Sequence, residues 1–228
     1  MRSVKKNRLW TVCSRFFYST LMWIDFFVHR YMCTGLFSFN GTPYPYFIHP
    51  YNTTWKCERA VEIPIVMDLI SRKGNANILE IGNVLSHYFR FEHDIVDKYE
   101  KAEGVINVDV LDFVADKPYE LIVAISTLEH VGWDEEPREP QKFLRCIHHL
   151  KKLISKGGTL MFTVPGGYNS YVDDIIRKRA IEQAQFYHFK RTGMNRWAQT
   201  EFGDIDGLPY GSPWGAANAL TIVSLTNQ

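Results

Sequence analysis

At four places along the chain, residues able to do chemistry stand where an apolar run ends. Glu80 and Gly82 close ILEIG at 78–82, Asp97 closes HDIVD at 93–97, and Asp109 and Asp112 follow from GVINVD at 104–109. Ser126, with Glu129 and His130 just beyond it, follows from YELIVAIS at 119–126. A carboxylate accepts two donors at once, and a glycine lets the backbone approach a ligand closely. An imidazole, with an ordinary pKa of about 6.5, takes a proton at neutral pH, which makes Glu129 and His130 the candidate acid–base pair. Glu80 stands inside an apolar run, where an unpaired carboxylate is costly to bury. Asp112 reads as a turn or cap residue. The run Asp134, Glu135 and Glu136 reads as a solvated acidic face.

Bringing those four places to one edge requires strands that alternate with crossovers. A helix is expected over 62–71 (EIPIVMDLIS), closed by Lys73-Gly74-Asn75, before the first strand at 78–82. Strands follow at 93–97, 104–109 and 119–126, the last nearly continuous in apolar residues as a central parallel strand is. Only ten residues separate Gly82 from His93, so the first crossover holds one or two helical turns at most. Phe143, Leu144, Ile147, Leu150 and Ile154 mark a helix over 142–155, ended by Lys156-Gly157-Gly158. A strand at 159–164 then stops at Pro165-Gly166-Gly167, and the tail adds a helix over 173–181 and strands at 185–190 and 219–225. The segment 204–215 is rich in Gly and Pro and reads as a loop. The pattern predicts an α/β fold, a doubly wound and mostly parallel seven-stranded sheet, with ligands at the C-terminal ends of its strands.

Five segments in this order, ILEIG at 78–82, IVD at 95–97, NVDVLDF at 107–113, YELIVAISTLEHVG at 119–132 and KKLISKGGTLMFTVP at 151–165, resemble the class I S-adenosylmethionine-dependent methyltransferases, in particular their small-molecule branch. The closing strand at 219–225 matches the antiparallel seventh strand of that family's Rossmann-like fold. The resemblance implies S-adenosylmethionine as cofactor, with Glu80, Gly82 and Asn83 against its methionine part. It also implies Asp97 on the ribose hydroxyls, Asp109 and Val110 flanking the adenine, and Ser126 near the sulfonium. One motif departs: where the family reads acidic-x-Gly-x-Gly-x-Gly, this chain reads Glu80-Ile81-Gly82-Asn83-Val84-Leu85-Ser86 and keeps only the first glycine. The expected activity is methyl transfer to a small-molecule or lipid-like acceptor. Two other readings stay open: a relative that keeps the fold as a binding or scaffold module, and a nicotinamide-dependent Rossmann enzyme, whose glycine fingerprint is equally broken here.

Composition narrows the classes. The 228 residues are 46% hydrophobic and 22% charged, which excludes a disordered or low-complexity chain. Twenty-six basic residues meet 25 acidic ones, so no global field draws the chain to nucleic acid, and no nucleic-acid partner is expected. The four cysteines form no CxxC pair and the histidines no HExxH spacing, so no metal is assigned and a cytoplasmic, reducing compartment is expected.

Three regions follow: 1–33, a basic amphipathic helix; 34–75, an aromatic-rich lid and helical segment; and 76–228, the α/β domain. In the first, Arg2, Lys5, Lys6, Arg8, Arg15 and Arg30 meet Asp25 alone. Residues 9–28 are apolar at 14 of 20 positions, but Arg15 and Asp25 each cost about 2.5–3.5 kcal/mol near a membrane centre, which argues against a span. The apolar stripe instead serves to dock the helix on the body, to lay it on an anionic lipid surface as a peripheral contact, or as a cleaved or uncleaved signal. The aromatic box Thr42–Arg59 is either a lid over the acceptor or an aromatic core beneath that helix. Asn195–Trp197, with the loop through Trp214, forms a second flanking box.

Overall fold

The computed structural model describes residues 20–31 and 35–227. Helix α1 covers 20–31, and the rest of the expected N-terminal helix lies outside the described residues. Strands β1 (Leu36–Phe39) and β2 (Thr42–Pro45) form a hairpin around Asn40-Gly41. Both turn residues have positive φ, 49° and 80°, the twist that a two-residue hairpin turn requires. Trp55 lies 1% exposed beneath α1, its ring against Phe26 and His29.

The main sheet has eight strands in the order β5-β4-β3-β6-β7-β10-β8-β9. These are β3 (Ile78–Ile81), β4 (Asp94–Val96), β5 (Val105–Ile106), β6 (Tyr119–Ile125), β7 (Ile154–Pro165), β8 (Ala184–Gly193), β9 (Arg196–Thr200) and β10 (Ala219–Thr226). The five from β5 to β7 pair in parallel, and β10, β8 and β9 add an antiparallel arm. The eighth strand, β9, arises because β8 runs to Gly193 and turns back through the flanking box that begins at Asn195.

Alternation along β6 builds two cores. Leu121, Val123 and Ile125 join Val61, Ile63 and Val66 of α2 (Arg59–Lys73) on one face, where Phe37 and Phe189 also pack. Ile122 and Ala124 face the other way, into Phe143, Ile147 and Leu150 of α3 (Lys142–Leu153) and Val172 and Ile176 of α4 (Ser170–Arg177). The sheet is thus covered on both faces, as a parallel sheet must be. The side chain of Asn169 caps α4 by accepting from the amides of Tyr171 and Val172, so this helix starts earlier than its apolar spacing suggests.

The first crossover is shorter still than the spacing predicts: only a single 3-10 turn, Leu85–His87, separates β3 from β4. The Gly157-Gly158 pair does not break the chain between helix and strand. It lies within β7, beside a register shift against Tyr119 and Leu121 of β6. Among the described residues, no helix is long and apolar enough to cross a membrane.

Candidate functional site

From β3 the chain builds outward through β4 to β5, then returns to place β6 and β7 on the other side of β3. The C-terminal ends of β3 and β6 therefore flank the point where the winding reverses, which is where open α/β sheets hold their ligands. A cavity of about 460 Å³ opens there. Gly82, Asp97, Asp109, Val110, Ser126 and His130, drawn from four separate segments of sequence, all line it.

Gly82 sits at φ +83°, and its amide donates to Val96 O at 2.8 Å. A Cβ at this position would lie 2.6 Å from the Thr127 methyl carbon, so only glycine fits between β3 and the Thr127 wall. The Asp97 Oδ1 accepts the amides of Tyr99 and Glu100, both at 2.8 Å, and fixes the turn after β4. Among the described residues its Oδ2 takes only the Asn83 amide, at 3.2 Å, which leaves that oxygen able to accept from a ligand.

Asp109 closes another side of the cavity within an ion cluster. Its Oδ2 lies 2.5 Å from Lys142 Nζ and 3.0 Å from Lys98 Nζ, and both lysines also reach Glu135. Burial pushes the Asp109 carboxyl up, but the two lysines outweigh it and hold it down to about 2. Lys98 in the cavity wall and Lys142 behind it balance Asp109 and Glu135, and Asp97, Glu100 and Asp134 remain as an excess of acid.

Three expected site residues do not line the cavity. Glu80 is 0% exposed and faces inward: Oε1 accepts the amides of Val84 and Leu85 at 2.9 and 2.8 Å, and Oε2 meets His93 Nε2 at 2.8 Å. It pins the glycine-poor loop around itself, since a buried carboxylate takes whatever donors the nearby backbone offers. Asn83 is likewise a loop organiser. Its Nδ2 donates to Glu100 at 2.7 Å, and its Oδ1 accepts from Ser86. Glu129, 1% exposed in the 3-10 turn Leu128–His130, lies behind the wall that His130 forms.

His130 is held from two sides. Its Nδ1 meets Asp134 at 2.5 Å, and the Tyr168 hydroxyl bonds Asp134 at 2.5 Å and lies 3.0 Å from the same ring nitrogen. Its Nε2 lies 3.7 Å from Glu129 Oε1. Neither carboxylate oxygen of Glu129 meets a hydrogen-bond partner among the described residues. Burial pushes its carboxyl well above the usual range, and the nearby Glu62 charge adds to that.

Sequence reasoning missed the groups that α2 brings to this place. Glu62, 0% exposed, takes Arg59 at 2.6 Å on one oxygen, and Ser126 Oγ and Thr163 Oγ1, both at 2.5 Å, on the other. Ser126 itself sits at φ +38°, an uncommon conformation for a serine. The available signal was Glu58, Arg59 and Glu62 together at the start of an otherwise apolar helix. Thr127, inside the segment 119–132 but given no role there, and Lys98 and Glu100, outside every motif, also line the cavity.

No protein-family model matches the chain, and no curated protein matches it. Among solved structures it is similar to the N-methyltransferase NodS from Bradyrhizobium japonicum WM9 in complex with S-adenosyl-L-homocysteine, at 11% identity over 72% of this chain and 84% of that one, with a TM-score of 0.46. An rRNA methylase from Streptococcus thermophilus is similar at 10% identity, over 73% and 97% of the two chains, with a TM-score of 0.45. A possible histamine N-methyltransferase from Thermotoga maritima shares 11% identity over 72% and 87%, with a TM-score of 0.41. At such scores the function has to rest on the cavity itself.

Proposed function

We propose that the chain is an S-adenosylmethionine-dependent methyltransferase acting on a small-molecule or lipid-like acceptor. One observation carries this reading: the cavity at the winding reversal is acidic, and its floor is a glycine at positive φ whose close approach to Thr127 strains any larger residue. The cofactor carries a sulfonium and an ammonium, both cationic, and the surplus of carboxylates complements them. The same wall repels the pyrophosphate of a nicotinamide dinucleotide. Nor is there a helix N-terminus after β3 to hold a pyrophosphate, since only one 3-10 turn follows that strand.

In this reading Gly82 admits the methionine part, Asp97 Oδ2 accepts from the ribose, and Val110 lies against the adenine beside the Asp109 cluster. Bound S-adenosylmethionine supplies an electrophilic methyl group. The protein contributes by holding the acceptor in line with that group and excluding water. His130, kept in place by Asp134 and Tyr168, and Glu129 behind it receive the proton that the acceptor releases.

Calorimetric titration of the full chain with S-adenosylmethionine, S-adenosylhomocysteine and NAD tests this. Both adenosyl ligands are expected to bind and NAD is not. Selective NAD binding would replace the reading with a dehydrogenase. An absence of binding at millimolar adenosyl ligand would leave a scaffold that keeps the fold.

A further inference from the structure

The carboxylates behind the cavity wall are not accounted for by the cofactor. Glu58, Glu62 and Glu129 are all buried, and Glu62 is saturated by Arg59, Ser126 and Thr163. Among the described residues Glu58 Oε2 accepts the Ala217 amide, at 3.3 Å, and Glu129 meets no partner on either oxygen. Buried carboxylates without donors are rare in folded proteins because each forfeits its hydration. The charged groups felt at Glu129 are Glu62 and Arg59 of α2 and Glu58 just before it, with His130 Nε2 3.7 Å away. Arg191 adds a second cation nearer Glu58; its Nε and Nη2 donate to the carbonyls of Gly193, Lys56 and Met194, while its Nη1 is buried without a partner among the described residues. Tyr168 and Tyr210, whose rings meet edge to face at 5.2 Å, feel the Glu129 charge from the opposite side. The unpartnered acid in this cluster is the Glu129 carboxyl, which burial holds in its protonated form until a cation meets it.

Building on the cavity as a methyl-donor site, we propose that the acceptor is an amine that enters past His130, docks as an ammonium ion against Glu129 and gives that carboxylate its proton. An ammonium supplies the missing donors and the positive charge that lets the carboxyl ionise. A hydroxyl acceptor would have to build negative charge beside three carboxylates, whereas an amine and its methylated product keep a positive one. The cluster also offsets the repulsion between two cations, ammonium and sulfonium, brought into contact. The proton leaves nitrogen for Glu129, and the freed lone pair forms the N–C bond as the S–C bond breaks. The electron pair of that bond stays on sulfur and discharges it. The product departs as a methylated ammonium, and Glu129 returns its proton to water.

The experiment titrates the full chain, loaded with S-adenosylhomocysteine, with benzylamine, benzyl alcohol and benzoate in buffers of different ionisation heat. Benzylamine is expected to bind at least about tenfold more tightly than the alcohol and to release a proton to the buffer at acidic pH, as Glu129 ionises on docking. Glu129→Gln has the shape of the protonated side chain, so the fold and the affinity for S-adenosylhomocysteine are expected to persist, while benzylamine weakens by about thirtyfold or more. Equal binding of amine and alcohol, no amine binding at millimolar concentration, or an amine affinity indifferent to Glu129→Gln overturns the proposal. Failure of S-adenosylhomocysteine to bind at all overturns the methyltransferase reading instead, so the two failures are separable.

A different surface carries a second inference. One edge of α1 is tied to the body: Asp25 Oδ2 lies 2.5 Å from Lys56 Nζ and accepts from Trp55 Nε1 at 3.2 Å, while Phe26 and His29 pack on the Trp55 ring. The opposite edge is bare, with Trp23 and Phe27 each 50% exposed, Ile24 54% and Tyr31 70%. The apolar stripe is thus split, and its outer half has no partner among the described residues. The first 33 residues carry six basic groups, and their single acid, Asp25, is occupied by Lys56. From this charge complementarity we infer that the outer edge of α1 lies in an anionic lipid surface. Co-sedimentation with phosphatidylcholine vesicles, with and without phosphatidylserine, tests it. Binding is expected only with phosphatidylserine, lost at high salt and in Trp23→Glu/Phe27→Glu, whose positions are solvent-facing and leave the fold intact. No binding to the anionic vesicles, or a dimer in solution that the double variant dissociates, overturns it.

Discussion

Gly82→Ala tests the geometry at the floor of the cavity most directly. The new methyl group carries two costs. At φ +83° an alanine sits in the left-handed region, at roughly 1–2 kcal/mol. Its Cβ would also fall 2.6 Å from Thr127 Cγ2 and 3.0 Å from Thr127 Cβ, an overlap that relaxes only by moving the cavity wall, at about 1–3 kcal/mol. Together they predict a loss of about 2–5 kcal/mol, with each kcal/mol lowering Tm by about 2–4 °C in a chain of this size. Thr127→Ala alone loses its hydroxyl bond to Ile125 O, 3.0 Å long, and costs about 1 kcal/mol. In the double variant the overlap with the Thr127 hydroxyl and methyl vanishes and only the backbone strain and one close Cβ remain. The two substitutions should therefore be less damaging together than their sum, by about 1–3 kcal/mol in a urea-denaturation cycle. Strict additivity, or a Gly82→Ala protein as stable as the parent, would show that the Thr127 wall does not require glycine.

Three further outcomes follow from the site. Asp97→Ala should lower S-adenosylhomocysteine affinity by about tenfold or more in calorimetry while circular dichroism stays unchanged; an unaltered affinity would remove the ribose assignment. Glu62→Ala leaves the Arg59 guanidinium without its 2.6 Å partner and should cost about 3–5 kcal/mol in chemical denaturation, whereas Glu62→Leu with Arg59→Met should recover much of that loss. The Asp109 carboxyl, held down to about 2 against roughly 3.9 in an unfolded chain, adds stability that is fully present above the unfolded value and is lost as pH falls through the folded one. Its share is about 1 kcal/mol after solvent screening at its exposed edge, so in stability curves at acid pH the parent should converge on Asp109→Asn as the pH falls toward about 2.

Features governed by neighbours along the chain were legible in the sequence. The apolar runs at 78–82 and 119–126 became β3 and the central strand β6, because a strand buried on both faces needs continuous apolar side chains whatever lies beside it. Gly82, Asp97, Asp109 and Ser126 converged for a related reason: parallel strands in one sheet end at one edge, so residues closing the strands share a cavity. The Asn40-Gly41 hairpin was equally local and was passed over just ahead of the aromatic box, although that dipeptide is a strong turn signal.

Which way each polar side chain faces was a matter for the tertiary structure. Glu80 and Asn83 stand beside Gly82 in the chain, yet they turn toward His93, Glu100 and their own loop because the short crossover brings those partners within reach. Glu62 meets Ser126 and Thr163 only because α2 packs across β6 and β7. The split of the α1 stripe into a covered and a bare edge depends on where Trp55 and Lys56 stand. Strand formation responds to side-chain type and spacing within a few residues. Partner choice for a buried charge depends on donors contributed by distant segments, and only packing brings them together.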